Sequence, residues 1–324
     1  MASSLTGTAP ETVAAPTTGR TRRLPRALAV AAWATALVAW SSTLGIPNDT
    51  VQVFVWLWLG TIAWDVEAPA RHHLRFLRDW SPPMLGLVVY FYSRGLTDEL
   101  GLPVHWTMPI RVDEWLGGGT TPTEHLQAAW CGRPCLRAAS PSWYDVVLTT
   151  VYASHFLVGL SLAAVLWVRE GAAWSWWMRR YLMICFGALV VYVLYPMAPP
   201  WMASREGLMG EVTRLTGRGW DDLGIGRLDL VLQGVGNPVA AMPSLHAGIA
   251  FLVAMHAVQR LGSPWRWLLL GYPALMSLAL VYFAEHYVVD IVAGAVLALA
   301  VVAVAGMWER RPGVGPEQVG TVRE

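Results

Sequence analysis

Long apolar segments alternate with short polar segments along most of the chain, and this pattern predicts helices that cross a membrane. A helix needs about 20 mainly apolar residues to span the hydrocarbon core of a bilayer. Eight segments approach or reach this length, and the second and third are the shortest. They cover residues 27–46, 51–66, 82–97, 144–168, 178–197, 241–260, 266–285 and 287–307. The sequence therefore predicts an all-α integral membrane protein with about eight transmembrane helices.

The composition also indicates a membrane protein. Of the 324 residues, 55% are hydrophobic and 14% are charged, and the mean hydropathy is +0.43. Soluble domains of this size are much less apolar. A net charge of +1 argues against a nucleic-acid partner, because binding to nucleic acid requires a concentrated basic surface.

The two ends of the chain are predicted to be cytoplasmic tails. Residues 1–23 are mainly small and polar and end in an arginine cluster, so they cannot form a core and we expect them to be disordered. A cleaved signal peptide is the alternative, but the apolar segment after Arg26 is long and has no clear small-residue cleavage site. Residues 24–79 are predicted to form two N-terminal transmembrane helices, and residues 309–324 the second tail.

The distribution of basic residues predicts the orientation in the membrane. All 23 of them are arginine. With eight spans, 15 lie on the side of the two termini, and the other 8 lie mainly in two long loops, residues 98–143 and 198–240. Because cytoplasmic loops retain positive charge, we expect both termini in the cytoplasm and both long loops outside the plasma membrane. The first loop is expected to form short interfacial helices that cap a pocket.

Two histidines and one aspartate near helix ends are the candidate catalytic residues. His286 and Asp290 are four residues apart, so a helix that starts at His286 places both on one face. A carboxylate beside an imidazole fixes its tautomer and makes the other ring nitrogen a better nucleophile or base. His246, near the start of a neighbouring helix, would supply a second acid or base. Both histidines fall at the predicted outer face.

The helix that carries His246 begins with a sequence that suits phosphate binding. Pro243 is tolerated in a first helical turn, and Ser244 follows it. Free backbone N–H groups and the positive helix end favour a phosphate at this point. Ser244 is therefore a candidate phosphate contact, and a simple helix cap is the alternative.

These residues match the motifs of a known family. Pro243-Ser-Leu-His246 and His286-Tyr-Val-Val-Asp290 resemble the second and third motifs, PSxH and HxxxD, of the type 2 phosphatidic acid phosphatase superfamily. Leu245 and the segment Tyr195-Pro-Met-Ala-Pro-Pro-Trp201 are similar to the branch that contains the fungal inositol phosphorylceramide synthases. The resemblance covers roughly residues 80–305.

The resemblance implies a fold and a reaction. It implies a six-helix catalytic core at residues 80–308, to which the first two helices are an addition, and metal-independent transfer of a phosphoryl group from a lipid phosphate or phospholipid. His286 would be the nucleophile, oriented by Asp290, and His246 the general acid and base, with Tyr195 near the substrate. Water as acceptor gives a phosphatase, and an alcohol or polyol gives a phosphotransferase; both remain open. A non-catalytic lipid-binding protein is disfavoured, because all three motif residues are intact.

The sequence departs from the family at the phosphate-binding cations. The phosphatase branch has a lysine and an arginine in its first motif, whereas residues 181–201 contain neither. Arg94, Arg205 and Arg227 are candidate replacements, because a guanidinium can hold phosphate through two parallel hydrogen bonds. Arg94 is favoured because it lies at the outer end of a predicted core helix. The alternative is an arginine that extends to the lipid interface.

The remaining polar residues are given structural interpretations. No cofactor and no metal are expected, because Asp221 and Asp222 have no partner carboxylates at metal-ligand spacing. Cys131 and Cys135 lie in an outer loop where a disulfide could form, but their spacing leaves a bridge and free thiols equally open. His155 lies in an apolar span without a motif, so we interpret it as a packed side chain.

Overall fold

The protein is all-helical over the residues that its computed structural model describes, 23–45, 47, 50–96, 100–138, 140–220 and 237–309. These residues contain two isolated β-bridges but no strand. The α-helices in chain order are α1 (Arg23–Leu44), α2 (Thr50–Trp64), α3 (Ala70–Leu96), α4 (Thr107–Leu116), α5 (Pro122–Trp130), α6 (Trp143–Arg169), α7 (Gly171–Leu194), α8 (Pro200–Arg205), α9 (Arg218–Trp220), α10 (Leu245–Arg260), α11 (Gly271–Tyr282) and α12 (Val288–Glu309). A 3₁₀ helix, Pro264–Leu270, precedes α11.

Each predicted apolar segment coincides with a helix of the structure. Four of the described helices, α1, α6, α7 and α12, are long and apolar enough to cross a membrane. The apolar helix α2 has only 15 residues, and the seventh segment is divided between the 3₁₀ helix and α11. The chain is therefore a multi-pass helical membrane protein, and four of the eight predicted spans meet the length and composition of a span.

Helix α3 is longer than its apolar segment suggests. It begins at Ala70 and continues through Pro82 and Pro83, although proline removes a backbone hydrogen bond from a helix interior. Pro82 has no N–H for the carbonyl of Arg78, and the hydroxyl of Ser81 donates to that carbonyl instead, at 3.2 Å. The helix therefore starts well before the predicted residue 82.

Close contact between α10 and α12 brings the two motif regions together. The N–H of Ser244 donates to the carbonyl of Asp290 at 2.9 Å. A Cβ atom on Gly294 would lie 2.3 Å from the carbonyl oxygen of Ser244, and one on Gly248 would lie 3.2 Å from the carbonyl oxygen of Gly294. A side chain at Gly294 would therefore force the helices apart, and one at Gly248 would be in tight contact, so both glycines favour the close approach.

The two long loops are connected to each other. Gln127 of α5 donates from its side chain to the carbonyls of Thr213 and Tyr282, at 2.7 and 2.9 Å, and accepts the N–H of Thr213 at 2.8 Å. Cys131 and Cys135 form a disulfide directly after α5. The first loop thus folds into short helices as predicted, and it packs on the second loop and on the end of α11.

Candidate active site

His286 and Asp290 form a hydrogen-bonded pair where α12 begins. The helix starts at Val288, so His286 precedes it rather than starting it as expected. The Nδ1 atom of His286 nevertheless lies 3.3 Å from Oδ2 of Asp290, and the same oxygen accepts the N–H of Tyr287 at 3.0 Å. Asp290 is fully buried. Because the carboxylate occupies Nδ1, the Nε2 atom of His286 can act as a nucleophile or base.

Asp113, from helix α4 of the first outer loop, holds the start of α12. Its two carboxylate oxygens accept the backbone N–H groups of Val288 at 2.9 Å and Val289 at 3.4 Å. These are donors that a helix leaves unsatisfied at its N-terminus. Burial raises the pKa of Asp113 to about 6, although the two N–H groups lower it. A residue far away in sequence therefore caps the helix that carries Asp290.

His246 faces His286 from the start of α10. The two ring centroids are 5.8 Å apart. The Nε2 atom of His246 is buried and has no hydrogen-bond partner among the described residues. Ser244 is also buried, and its hydroxyl accepts the N–H of Ala247 at 3.3 Å, which makes it the N-cap of α10. The alternative role of Ser244, a helix cap, is thus the one its contacts describe.

Both histidines line a cavity of about 400 Å³ between the helices. Part of its described lining is charged or polar, and part is apolar. The apolar residues include Val53, Leu87, Phe156, Leu160 and Ile249, from α2, α3, α6 and α10. A site with polar groups beside an apolar wall suits a ligand that has a polar head and a hydrocarbon chain.

His155 is a histidine of this cavity that the sequence analysis set aside. Its ring centroid lies 4.0 Å from that of His246, and its Nδ1 atom is buried with no hydrogen-bond partner in the described part of the chain. Tyr152, one helical turn earlier on α6, stacks on His246 with centroids 4.8 Å apart and planes at 17°. The only sequence signal was a titratable residue inside an apolar span, which is costly and is often functional.

The four predicted substrate contacts besides Ser244 differ in position. Arg94 lines the cavity, and its guanidinium lies 6.0 Å from the ring centroid of Tyr192. Arg205 lies at the end of the short helix α8, where its side chain is 62% exposed and pairs with the neighbouring Glu206. Neither residue of that pair lines the cavity. The structure therefore keeps Arg94 in the candidate site and places Arg205 outside it.

Tyr195 and Arg227 are not found at the cavity. The ring of Tyr195 stacks on His105 with centroids 3.7 Å apart, so it supports the turn after α7 rather than the described cavity lining. Arg227 lies outside the described residues, as do Asp221 and Asp222. The turn itself does reach the cavity through Pro199 and Trp201.

Arg214 is a cavity cation that sequence reasoning missed. It lines the same cavity as Arg94, and its guanidinium lies 4.9 Å from the ring centroid of Trp201. The Nε and Nη2 atoms of Arg214 donate to the carboxylate of Glu285 at 2.5 and 3.3 Å. No motif surrounds Arg214, and only the fold of the second loop brings it to the cavity that His286 lines.

The second outer loop, rather than the first, contributes to the cavity wall. Its described lining includes Pro199, Trp201, Arg214 and Asn237, but no residue of the segment 98–143. The described residues of the first loop therefore do not line this cavity, and the cap predicted for that loop stays a prediction. The first loop instead contacts the elements that carry the site. Asp113 caps α12, and Gln127 bonds the second loop and the end of α11.

The arrangement combines the groups that phosphoryl transfer needs. It contains a histidine with a carboxylate on one nitrogen, a second histidine facing it, and two guanidinium groups in one cavity with an apolar wall. The family model of the PAP2 superfamily matches residues 129–304, which is more than half of the chain. The chain belongs to the PAP2 superfamily.

One curated relative supports the predicted branch of the superfamily. The inositol phosphorylceramide synthase catalytic subunit aur1 of Schizosaccharomyces pombe is 33% identical to this PAP2 protein over 136 residues. The match covers 38% of this chain and 30% of the yeast protein. No solved structure matches the chain.

These findings confirm the family resemblance deduced from the motifs. They confirm the predicted branch of the PAP2 superfamily and, at the level of that superfamily, the predicted class of enzyme, a lipid phosphatase or phosphotransferase acting in a membrane. The aligned region is less than a third of the yeast protein.

Proposed function

We propose that this PAP2 protein transfers the phosphoryl group of a membrane lipid through a covalent phosphohistidine. The observation that carries the proposal is the shared cavity of His246 and His286, with Asp290 on Nδ1 of His286. Nε2 of His286 attacks phosphorus, an N–P bond forms, and the bond from phosphorus to the leaving oxygen breaks. Protonated His246 gives its proton to that oxygen.

The second step regenerates the enzyme. An acceptor O–H gives its proton to neutral His246, the acceptor oxygen attacks phosphorus, and the N–P bond breaks. Asp290 orients His286 and stabilises its positive charge while the intermediate forms. Arg94, together with Arg214 in place of the predicted Arg205, binds the non-bridging oxygens on which charge accumulates. Ser244 contributes by fixing the start of α10. The mechanism uses no metal.

The substrate in this proposal is a lipid phosphate or phosphodiester. The apolar wall of the cavity, which includes Leu87, Leu160 and Ile249, supports a hydrocarbon chain as part of the substrate. The name of the yeast relative, an inositol phosphorylceramide synthase subunit, favours transfer of an inositol-phosphate-type headgroup to an alcohol or polyol as the second candidate reaction. Water as acceptor gives hydrolysis by the same two steps.

The proposal includes the orientation of the chain. Eight spans would place both termini in the cytoplasm and the cavity at the outer face of the plasma membrane, with a six-helix core at residues 80–308. The disulfide between Cys131 and Cys135 supports this orientation, because disulfides persist in oxidising compartments. The arginine distribution supports it independently.

The test is lipid phosphate turnover by the detergent-purified protein. Wild type, His286→Ala and Asp290→Asn are compared on a panel of lipid phosphates, with and without a glycerol or inositol acceptor and with and without EDTA. His256→Ala is the matched control, because His256 is a buried histidine of α10 that does not line the cavity. We expect activity in wild type and in the control, and a loss of roughly a thousandfold or more in the other two variants.

Wild type incubated with ³²P-labelled lipid and quenched in alkaline SDS should retain a label that is stable in base and released by acid, and His286→Ala should not. Full activity of His286→Ala, or activity that disappears with EDTA, would contradict the mechanism. Appearance of inorganic phosphate identifies hydrolysis, and appearance of a phosphorylated acceptor identifies transfer.

A further inference from the structure

A carboxylate lines the cavity in which two arginines are proposed to bind phosphate. Glu285 directly precedes His286, and its side chain is only 10% exposed. It accepts two hydrogen bonds from Arg214 and a short one from the hydroxyl of Thr216. An anion beside a phosphate site repels the substrate, so Glu285 weakens the attraction of the site for phosphate.

Anchoring of the second loop does not explain Glu285. The same loop is already held by Gln127, which bonds Thr213 through both its amide nitrogen and its amide oxygen. The Thr213 hydroxyl also donates to the carbonyl of Cys135 at 2.7 Å. Further along the second loop, Arg218 is buried and donates to the carbonyl of Ser140 at 3.2 Å. These contacts lie away from the cavity, whereas the carboxylate of Glu285 lines it.

Glu285 changes the charge that the site offers to an anion. Apart from its histidines, the described lining contains three charged side chains, Arg94, Arg214 and Glu285, and their formal charges sum to +1 at neutral pH. A phosphomonoester carries about two negative charges at pH 8, because its second pKa is about 6, whereas a phosphodiester carries one. Replacing Glu285 by a neutral group would raise the sum to +2, which suits the monoester.

We infer that Glu285 is a specificity-determining residue that favours singly charged phosphodiesters over doubly charged phosphomonoesters. The inference rests on the proposed function, because it concerns the phosphate subsite of that reaction. Arg214 remains able to contact a non-bridging oxygen, while its ion pair with Glu285 cancels its net charge. The site then has little attraction for a second negative charge on the substrate.

The test uses two lipids with the same leaving group. Dioctanoyl phosphatidic acid is a monoester, dioctanoyl phosphatidylinositol is a diester, and both release dioctanoylglycerol when the proposed bond breaks. In Glu285→Gln the amide oxygen can still accept from Arg214 and Thr216, so the variant mainly removes charge. We expect the ratio of kcat/KM for the monoester to that for the diester to rise about tenfold at pH 8. Glu285→Asp, which keeps the charge, should keep the wild-type ratio.

Glu206→Gln is the matched control, because Glu206 is an exposed carboxylate of the second outer loop that pairs with Arg205 away from the cavity. Its ratio should equal that of wild type. An unchanged or lower ratio of monoester to diester kcat/KM in Glu285→Gln would overturn the inference. If wild type releases dioctanoylglycerol from neither lipid, the proposed function is overturned instead. If Glu285→Gln turns over neither lipid, thermal stabilisation by inorganic phosphate and by dimethyl phosphate decides. Stronger stabilisation by inorganic phosphate than in wild type supports the inference, and equal stabilisation contradicts it.

Discussion

At the scale of single residues, the ring of His155 is the contact that most directly positions His246. The 4.0 Å separation of their centroids leaves no room for another group between the two rings. His155→Phe keeps an aromatic ring of similar thickness, whereas His155→Leu removes it. We expect kcat to stay within about threefold of wild type in the phenylalanine variant and to fall about tenfold in the leucine variant, with KM unchanged in both.

The measurement is steady-state turnover of the lipid substrate, with His256→Leu as the control for a histidine lost from a membrane helix. Equal losses in His155→Phe and His155→Leu would show that the nitrogen atoms of His155 matter rather than its ring. A rise in KM without loss of kcat would also contradict a positioning role.

The sequence predicted residues of the site where spacing alone brings groups together. His286 and Asp290 meet because they are four residues apart, and they do so although the helix begins later than expected. His155 and Arg214 could not be found in this way, because packing of α6 and folding of the second loop bring them to the cavity. Ser244 has the local role of a helix cap, in which its hydroxyl accepts the N–H of Ala247, and its predicted contact with phosphate stays a prediction.

At the scale of elements, the apolar segments gave the positions of the helices because hydrophobic length is a strong signal. Their ends were less predictable. The apolar segment begins at residue 82, whereas α3 begins at Ala70, and a donor at the start of α12 is satisfied by the distant Asp113. Such compensating contacts come from side chains whose position no apolar pattern reveals.

The contact between α10 and α12 can be tested at one glycine. A methyl group at Gly294 would collide with the backbone of Ser244, at 2.3 Å, and would separate the helices that carry His246 and Asp290. We expect Gly294→Ala to lower the thermal midpoint by several degrees and turnover by tenfold or more. Gly306→Ala on the same helix meets no atom within 4 Å, so its midpoint should stay equal or rise slightly. A wild-type midpoint and wild-type turnover in Gly294→Ala would contradict this packing.

The cap that Asp113 provides to α12 should depend on pH. Burial raises its pKa in the folded protein from 3.8 to about 6. The folded state therefore binds the proton more tightly than the unfolded state, and this group's contribution to stability is full below pH 4 and is lost as pH rises to about 6. The loss between pH 4.5 and pH 7 is about 2 kcal/mol.

Asp113→Asn removes this titration and can still accept one backbone N–H. The free energy of unfolding of the variant minus that of wild type should be about 2 kcal/mol larger at pH 7 than at pH 4.5. Denaturation in detergent at both pH values measures this difference. Because the other titrating groups are common to both proteins, their effects cancel in the comparison. A difference between variant and wild type that is the same at both pH values would contradict the raised pKa.

At the scale of the whole molecule, the candidate site and the disulfide belong to one structural unit. Gln127 precedes the disulfide and bonds Thr213, and Arg214, which follows Thr213, reaches the cavity. We therefore expect the cavity and the disulfide to lie on the same side of the membrane. The 3₁₀ helix after α10, with Trp267 exposed, is predicted to lie on the opposite side.

This orientation can be measured with single cysteines in intact cells. Wild type is its own unlabelled control, because two of its three cysteines form the disulfide and the third, Cys185, is buried. Leu208, in the second outer loop, is 47% exposed, and Trp267 is 57% exposed. A membrane-impermeant maleimide should label Leu208→Cys in intact cells, and Trp267→Cys only after the membrane is permeabilised. Labelling of Trp267→Cys but not of Leu208→Cys in intact cells would show the opposite orientation, with the arginine-rich side facing outward. Labelling of both in intact cells would contradict an odd number of membrane crossings between the two positions.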